Sequence, residues 1–178
     1  MIRPTTRLAA LVLATATLPS LFASCTNAAD RAARFDVVET TILEMQRALE
    51  DGRVTSRELV EAHLLRIALY EERVNATIAV NANALAEADR LDRERADGRL
   101  RGPLHGIPVA LKDNEHTIDM PTTGGALAFE GYVPPYEATL TTNLRDAGAI
   151  ILAKTVMTEL ANFTANGMPG NYSTIGGF

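Results

Sequence analysis

The chain has 178 residues, of which 47% are hydrophobic and 22% are charged, and its net charge is −5. This composition is typical of a globular protein with one domain, and it excludes a disordered or fibrous chain. The acidic balance offers no basic surface of the kind that nucleic acids bind, so we expect no nucleic-acid partner. A single cysteine excludes an intramolecular disulfide framework and a cysteine-based zinc site.

Residues 1–24 have the pattern of an export signal. Arg3 and Arg7 precede an apolar stretch that Pro19 interrupts. This stretch is shorter than the roughly 20 residues that a membrane-spanning helix needs. A positive start, a short apolar centre and small residues after it are typical of a secretory signal, so we expect an exported protein.

The end of this segment, Leu21-Phe22-Ala23-Ser24-Cys25, resembles a bacterial lipobox. The resemblance implies that Cys25 is lipidated and tethers the protein to a membrane, as a periplasmic or outer-surface lipoprotein. Phe22 departs from the leucine usual at its position. The alternative is ordinary cleavage near Ala28 or Ala29, which gives a secreted protein. In either case we expect residues 25–35 to be a linker.

Two amphipathic helices are predicted next. Asp36 is the expected N-cap of the first, with Glu39 completing a capping box, and Gly52 ends it. The apolar side chains of this helix recur on one face, at Val38, Ile42, Met45 and Leu49. The second helix begins at the capping box Thr55-Ser-Arg-Glu58 and runs to about Glu72. Val54 and Leu59 form its hydrophobic staple, and its wide apolar arc predicts that it is well covered by other elements.

Residues 77–80 are predicted to form a short strand, and residues 84–97 a highly charged helix that Gly98 ends. We interpret the charges of this helix as a solvated face rather than a binding patch.

From Gly102 onward the chain becomes rich in glycine and proline. The predicted elements of this part are a buried strand at 106–111 ending at Lys112, a long loop at 113–137, a helix at 139–146, a buried strand at 149–153 ending at Lys154, a helix at 156–163 and a polar loop at 164–178. Helices that alternate with short apolar strands predict an α/β layer fold with parallel pairing.

Both lysines of the chain follow apolar strands, at the end of the sheet where α/β proteins bind ligands. Lys112 also precedes the long loop, and burial of a lysine disfavours its charged form, so such a residue can act as a neutral base. The alternative is an ion pair between Lys112 and Asp113 or another carboxylate at the rim of the sheet. Lys154 is a weaker candidate, because nothing near it in sequence resembles a second catalytic group.

The histidines give no sign of a metal site. His63 lies in the middle of a predicted helix, and the spacing of His105 and His116 matches no zinc template. No standard glycine-rich phosphate loop occurs. We therefore expect neither a metal nor a cofactor.

Several ordered blocks of the sequence resemble the amidase signature family. These blocks are Thr55-Ser-Arg-Glu-Leu-Val60, Arg101-Gly-Pro-Leu-His-Gly-Ile-Pro-Val-Ala-Leu-Lys-Asp-Asn114, Met120-Pro-Thr-Thr-Gly-Gly125, Leu144-Arg-Asp-Ala-Gly-Ala-Ile-Ile-Leu-Ala-Lys-Thr155 and Val156-Met-Thr-Glu-Leu-Ala-Asn-Phe163. The similarity extends over residues 36–178, which we interpret as the amino-terminal portion of an amidase signature domain.

This resemblance implies an α/β/α sandwich with a mixed sheet and the hydrolysis of small-molecule or peptide amides without a cofactor. The family uses a Ser–Ser–Lys triad. Lys112 matches its lysine and is the expected general base, which accepts a proton through a relay serine while a second serine attacks the carbonyl. Asn162 matches a segment that lies along the substrate pocket of the family.

One departure from the family is clear, because no Gly-Gly-Ser-Ser run occurs and Ser173 does not match either catalytic serine. We therefore expect an inactive fragment with exposed apolar surface. One alternative is a truncated, non-catalytic paralogue that acts as a binding or structural module. Another is a protein like the A subunit of the tRNA amidotransferase, against which the export signal and the acidic charge argue.

Overall fold

The computed structural model describes residues 35–163, 167, 169–170 and 172–177. The predicted signal, Cys25 and all but the last residue of the predicted linker lie outside the described residues. The helices are α1 (Ile42–Glu50), α2 (Ser56–Val74), α3 (Ala84–Ala96) and α4 (Thr139–Asp146), and the strands are β1 (Thr77–Val80), β2 (Pro108–Lys112) and β3 (Ile150–Thr155). Short 3-10 turns span Leu127–Phe129 and Glu159–Asn162. Among the described helices, none is both long and apolar enough to cross a membrane.

The three strands form one mixed sheet in the order β1-β3-β2. The central strand β3 is parallel to β2 and antiparallel to β1. The predicted α/β class with a mixed sheet is therefore confirmed, whereas parallel pairing holds for only one of the two strand pairs. In the β2–β3 register, Leu111 is the partner of Lys154, and Lys112 is the partner of Thr155.

Helices pack on both faces of this sheet because the side chains of β3 alternate between the two faces. Ile150 and Leu152 lie in one apolar cluster with residues of α2 and α3. Ile151 lies in another with Leu111 of β2 and Leu144 of α4. This arrangement is the helix–sheet–helix layering that the sequence predicted.

The first helix begins later than predicted. Thr41 is the N-cap of α1, and its hydroxyl and the Glu44 carboxylate form a reciprocal capping box. The predicted cap, Asp36, instead accepts a hydrogen bond from the Val38 amide, and Glu39 has a left-handed backbone with φ of 55°. That conformation turns the chain before Thr41, so the helix cannot extend back to Asp36.

The capping box that opens α2 is confirmed, with Thr55 and Glu58 bonded to each other's backbone amides. The staple residues Val54 and Leu59 are buried in one cluster with α1. The prediction that α2 is well covered is wrong for the described part of the chain. Apolar side chains on its carboxyl-terminal half are exposed, at Leu65, Leu69, Tyr70 and Val74.

The charged helix α3 is also not simply solvated. The Asp92 carboxylate accepts hydrogen bonds from the backbone amides of Ser56 (2.7 Å) and Arg57 (3.0 Å) in the first turn of α2. Asp89 forms an ion pair with the Arg57 side chain at 2.7 Å. Free amides and the positive end of the helix dipole favour carboxylates at that place, so the acidic residues of α3 anchor α2.

Candidate active site

The predicted base, Lys112, is the last residue of β2. The backbone ladder continues one step past it, since the Asp113 amide donates to the Thr155 carbonyl at 3.1 Å. A turn follows, closed by the Glu115 amide and the Lys112 carbonyl at 3.0 Å. The Lys112 side chain is exposed, and no carboxylate among the described residues forms an ion pair with it. The described residues therefore do not desolvate Lys112.

The next residue, Asp113, is completely buried. Its Oδ2 atom accepts hydrogen bonds from the Thr123 hydroxyl, the Thr123 amide at 3.2 Å and the Gly125 amide at 3.4 Å. Its backbone carbonyl accepts a further bond from the Gly124 amide at 3.0 Å. These contacts hold the turn at residues 123–125 against the end of β2.

The second lysine, Lys154, is also completely buried, and its Nζ atom lies 3.4 Å from Asp113 Oδ1. The ammonium donates to the Thr122 hydroxyl at 2.8 Å and to the Pro121 carbonyl at 3.2 Å. Burial lowers the pKa of Lys154, an effect that the Asp113 charge opposes only in part. In the described structure Asp113 thus forms an ion pair with Lys154, whereas the sequence suggested one with Lys112.

The feature of the sequence that indicates burial of Lys154 is the apolar strand that precedes it. Ile150–Ala153 is apolar throughout, and β3 is the central strand of the sheet, so a lysine near its end is covered on both faces. By contrast, β2 is an edge strand of the described sheet, and Leu111 is its one buried residue. The prediction that this strand is buried holds only for part of its length.

A cavity of about 210 Å³ lies next to the turn after Lys112. It is lined by polar groups and by apolar side chains, namely Asn114, His116, Thr122, Thr123, Gly124, Phe129, Tyr132 and Leu160. The His116 ring also contacts the Tyr136 ring, with centroids 5.2 Å apart. This mixed lining suits an organic molecule with both polar and apolar parts.

Asn162 lies in a 3-10 turn rather than in the predicted helix at 156–163. Leu160, Ala161 and Asn162 all have positive φ angles, between 43° and 62°. The Leu160 amide donates to the Gly124 carbonyl at 2.8 Å, so this amide bonds to the long loop, whereas the Ala161 amide bonds within the turn to the Thr158 carbonyl. The Asn162 side chain is exposed, and its role in substrate binding stays a prediction.

Two histidines have structural partners. His63 Nδ1 contacts the Leu59 carbonyl within its own helix at 2.8 Å. The buried His105 accepts the Arg101 amide at Nδ1 and donates from Nε2 to the Leu91 carbonyl. The described residues contain no cluster of three His, Cys, Asp or Glu side chains that could hold a metal ion.

A family model described as amidase matches residues 58–174, more than half of the chain. The A subunit of glutamyl-tRNA(Gln) amidotransferase from Streptomyces coelicolor is 42% identical over 127 residues. The X-ray structure of native peptide amidase from Stenotrophomonas maltophilia is similar with a TM-score of 0.76 and 46% identity. A crystal structure of the peptide amidase PAM with the competitive inhibitor chymostatin gives a TM-score of 0.78 and 45% identity.

These matches cover most of this chain but a small share of each relative. The aligned part is 71% of this chain and 26% of the Streptomyces protein. It is 78% of this chain and 29% of the Stenotrophomonas amidase, and 80% and 30% for the inhibitor complex. The chain thus spans less than a third of the length of the relatives it matches.

Proposed function

This chain belongs to the amidase signature family, and we propose that it forms the part of an amide hydrolase that supplies the general base, Lys112. The observation that supports this proposal is the identity of 45–46% to peptide amidases over about four fifths of the chain. The position of Lys112 at the carboxyl end of a parallel strand is consistent with it, since α/β sheets bind their ligands there.

In the proposed reaction, a serine oxygen attacks the amide carbonyl and passes its proton through a relay serine to neutral Lys112. The tetrahedral intermediate then collapses, the C–N bond breaks, and the leaving amine takes that proton from the lysine. Water hydrolyses the acyl-enzyme by the same steps. Neither serine has a match among the 178 residues, so we propose that this chain alone hydrolyses no amide.

A neutral lysine base requires a desolvated environment, which the described residues do not give to Lys112. We propose that the region carrying the serines covers Lys112 and completes the site. The substrate is a small-molecule or peptide amide that lies beside Asn162.

The signal pattern at residues 1–24 supports export of the enzyme. We propose that it is a periplasmic or outer-surface lipoprotein, tethered to the membrane through lipidated Cys25. Metabolic labelling with a radioactive fatty acid tests this, because Cys25→Ala abolishes incorporation if the tether exists. Secretion of an unlabelled protein cleaved near Ala28 would support the alternative.

Two other functions are distinguishable. The 42% identity to an amidotransferase A subunit favours a protein that acts with glutamyl-tRNA(Gln), and tRNA binding by the purified protein would support that function. A non-catalytic binding or structural module is the other alternative. Sequencing the coding DNA past the codon for Phe178 distinguishes this module from the hydrolase, because a stop codon there leaves no catalytic serine.

If the reading frame continues, the intact product is assayed for ammonia release from peptides with a carboxyl-terminal amide. We expect Lys112→Ala to abolish turnover, and Lys112→Arg to do the same because arginine keeps its proton. Arg53→Ala is the matched control, since Arg53 is an exposed cation whose one ion pair within the described part of the chain is with Asp51 on the surface. Undiminished turnover by Lys112→Ala would refute the role of Lys112.

A further inference from the structure

The mechanism proposed above leaves one group of buried charges without a role, namely the pair formed by Lys154 and Asp113. We propose that Lys154 and Asp113 are positioning residues that fix the direction of Lys112 relative to the loop at residues 121–125. This inference rests on the proposed function of Lys112 as the base.

The pair is connected to Lys112 through the backbone. Asp113 directly follows Lys112, and Leu111, which precedes Lys112, is the register partner of Lys154. With its carboxylate fixed between Lys154 and the 123–125 turn, Asp113 cannot rotate. The backbone on the carboxyl side of Lys112 therefore has one orientation, and the Lys112 side chain leaves the sheet in a fixed direction.

The same pair fixes the loop. Lys154 donates hydrogen bonds to the Pro121 carbonyl and the Thr122 hydroxyl, and its Nζ atom lies within ion-pair distance of Asp113 Oδ1. Asp113 in turn holds Thr123 and Gly125. One pair of charges thus joins β2 and β3 to four residues of the loop, namely Pro121, Thr122, Thr123 and Gly125. Two of these, Thr122 and Thr123, also line the cavity beside Asn114.

Stability alone does not explain two fully buried charges. Removing two ions from water costs free energy that their attraction often fails to recover, and apolar replacements of such pairs are frequently neutral or stabilising. The four residues of β3 that precede Lys154, Ile150–Ala153, are all apolar and buried. The need to hold Lys112 in one defined orientation at the end of β2 accounts for the buried charges of Lys154 and Asp113.

The test compares three variants of the intact gene product: Lys154→Met, Asp113→Asn and the double variant. Each single change leaves one buried charge unpaired and lowers the midpoint of urea unfolding. The double variant removes both charges, and we expect its midpoint of urea unfolding to return to the wild-type value. We expect its kcat on a peptide amide to stay at least about tenfold below wild type, with KM little changed, because misplacement of a catalytic group affects the chemical step.

The matched control is the double variant Asp97→Asn/Arg99→Met, which removes an exposed ion pair and keeps wild-type kcat. Thr122→Val is a second variant in case the core variants do not fold. It removes the hydrogen bonds of the Thr122 hydroxyl with Lys154 and with the Glu115 carbonyl and leaves the ion pair intact, and we expect an intermediate fall in kcat. A wild-type kcat in the Asp113→Asn/Lys154→Met double variant, or in Thr122→Val, would overturn the inference.

Failure of the proposed function has a different signature. If the wild-type protein hydrolyses no amide, that function fails, and the rate at which acetic anhydride modifies Lys112 then tests the positioning role. A severalfold change of this rate in the double variant supports the inference, and an equal rate refutes it.

Discussion

Lys154 Nζ lies 3.4 Å from Asp113 Oδ1, and neither side chain is exposed, whereas Lys112, the neighbour of Asp113, is exposed. The two lysines of the chain lie on neighbouring strands, offset by one residue in the register, and have opposite environments, because β3 is central and β2 is at the edge. This difference makes the lysines distinguishable by chemical methods.

We expect amine-selective acylation of the folded protein to modify Lys112 and to leave Lys154 unmodified, because Lys154 is fully covered and hydrogen-bonded. Mass spectrometry of tryptic and other digests locates the modified residue. Acylation in denaturant is the control, in which both lysines react. Equal modification of both in the native state would contradict the burial of Lys154.

The pKa of Lys154 lies below its ordinary value of 10.5 because burial disfavours the ammonium. Between the lowered pKa and 10.5 the unfolded chain binds more protons than the folded one, so the free energy of unfolding rises with pH in that alkaline range. Urea unfolding at several pH values measures this rise. The Asp113→Asn/Lys154→Met variant lacks this component, and identical pH profiles of the two proteins would contradict the prediction.

Thr41→Ala is expected to lower the free energy of unfolding by about 1 kcal/mol, since it removes the side chain that caps α1. Asp36→Ala is the matched variant, and we expect a smaller effect because Asp36 lies outside the helix. Chemical unfolding followed by circular dichroism measures both. A larger loss in Asp36→Ala would support the helix start that the sequence first suggested.

Gly148→Ala is expected to destabilise the protein by about 3 kcal/mol, through backbone strain together with a steric clash. The residue has φ of +90°, and an added Cβ would lie 2.6 Å from the His105 Cα atom. Gly98→Ala is the matched control, because Gly98 has φ of +73° and open space around it, and we expect a loss of about 1 kcal/mol. Similar losses in both variants would show that the contact with His105 is unimportant.

The sequence predicted those elements whose signals are local. The bounds of β1 and α4, the Thr55–Glu58 capping box and the Val54–Leu59 staple match the structure. The ordered family blocks identified the family and the fold class for the same reason, since they are short stretches of consecutive residues.

The sequence did not predict features that depend on residues far apart in the chain. Only the tertiary structure places Asp92 at the first turn of α2, and only it bonds the Leu160 amide to Gly124 instead of to a helical turn. It also decides that Lys154, and not Lys112, is the buried partner of Asp113. The order of strands in a sheet determines which residue is covered, and contacts between distant segments set that order.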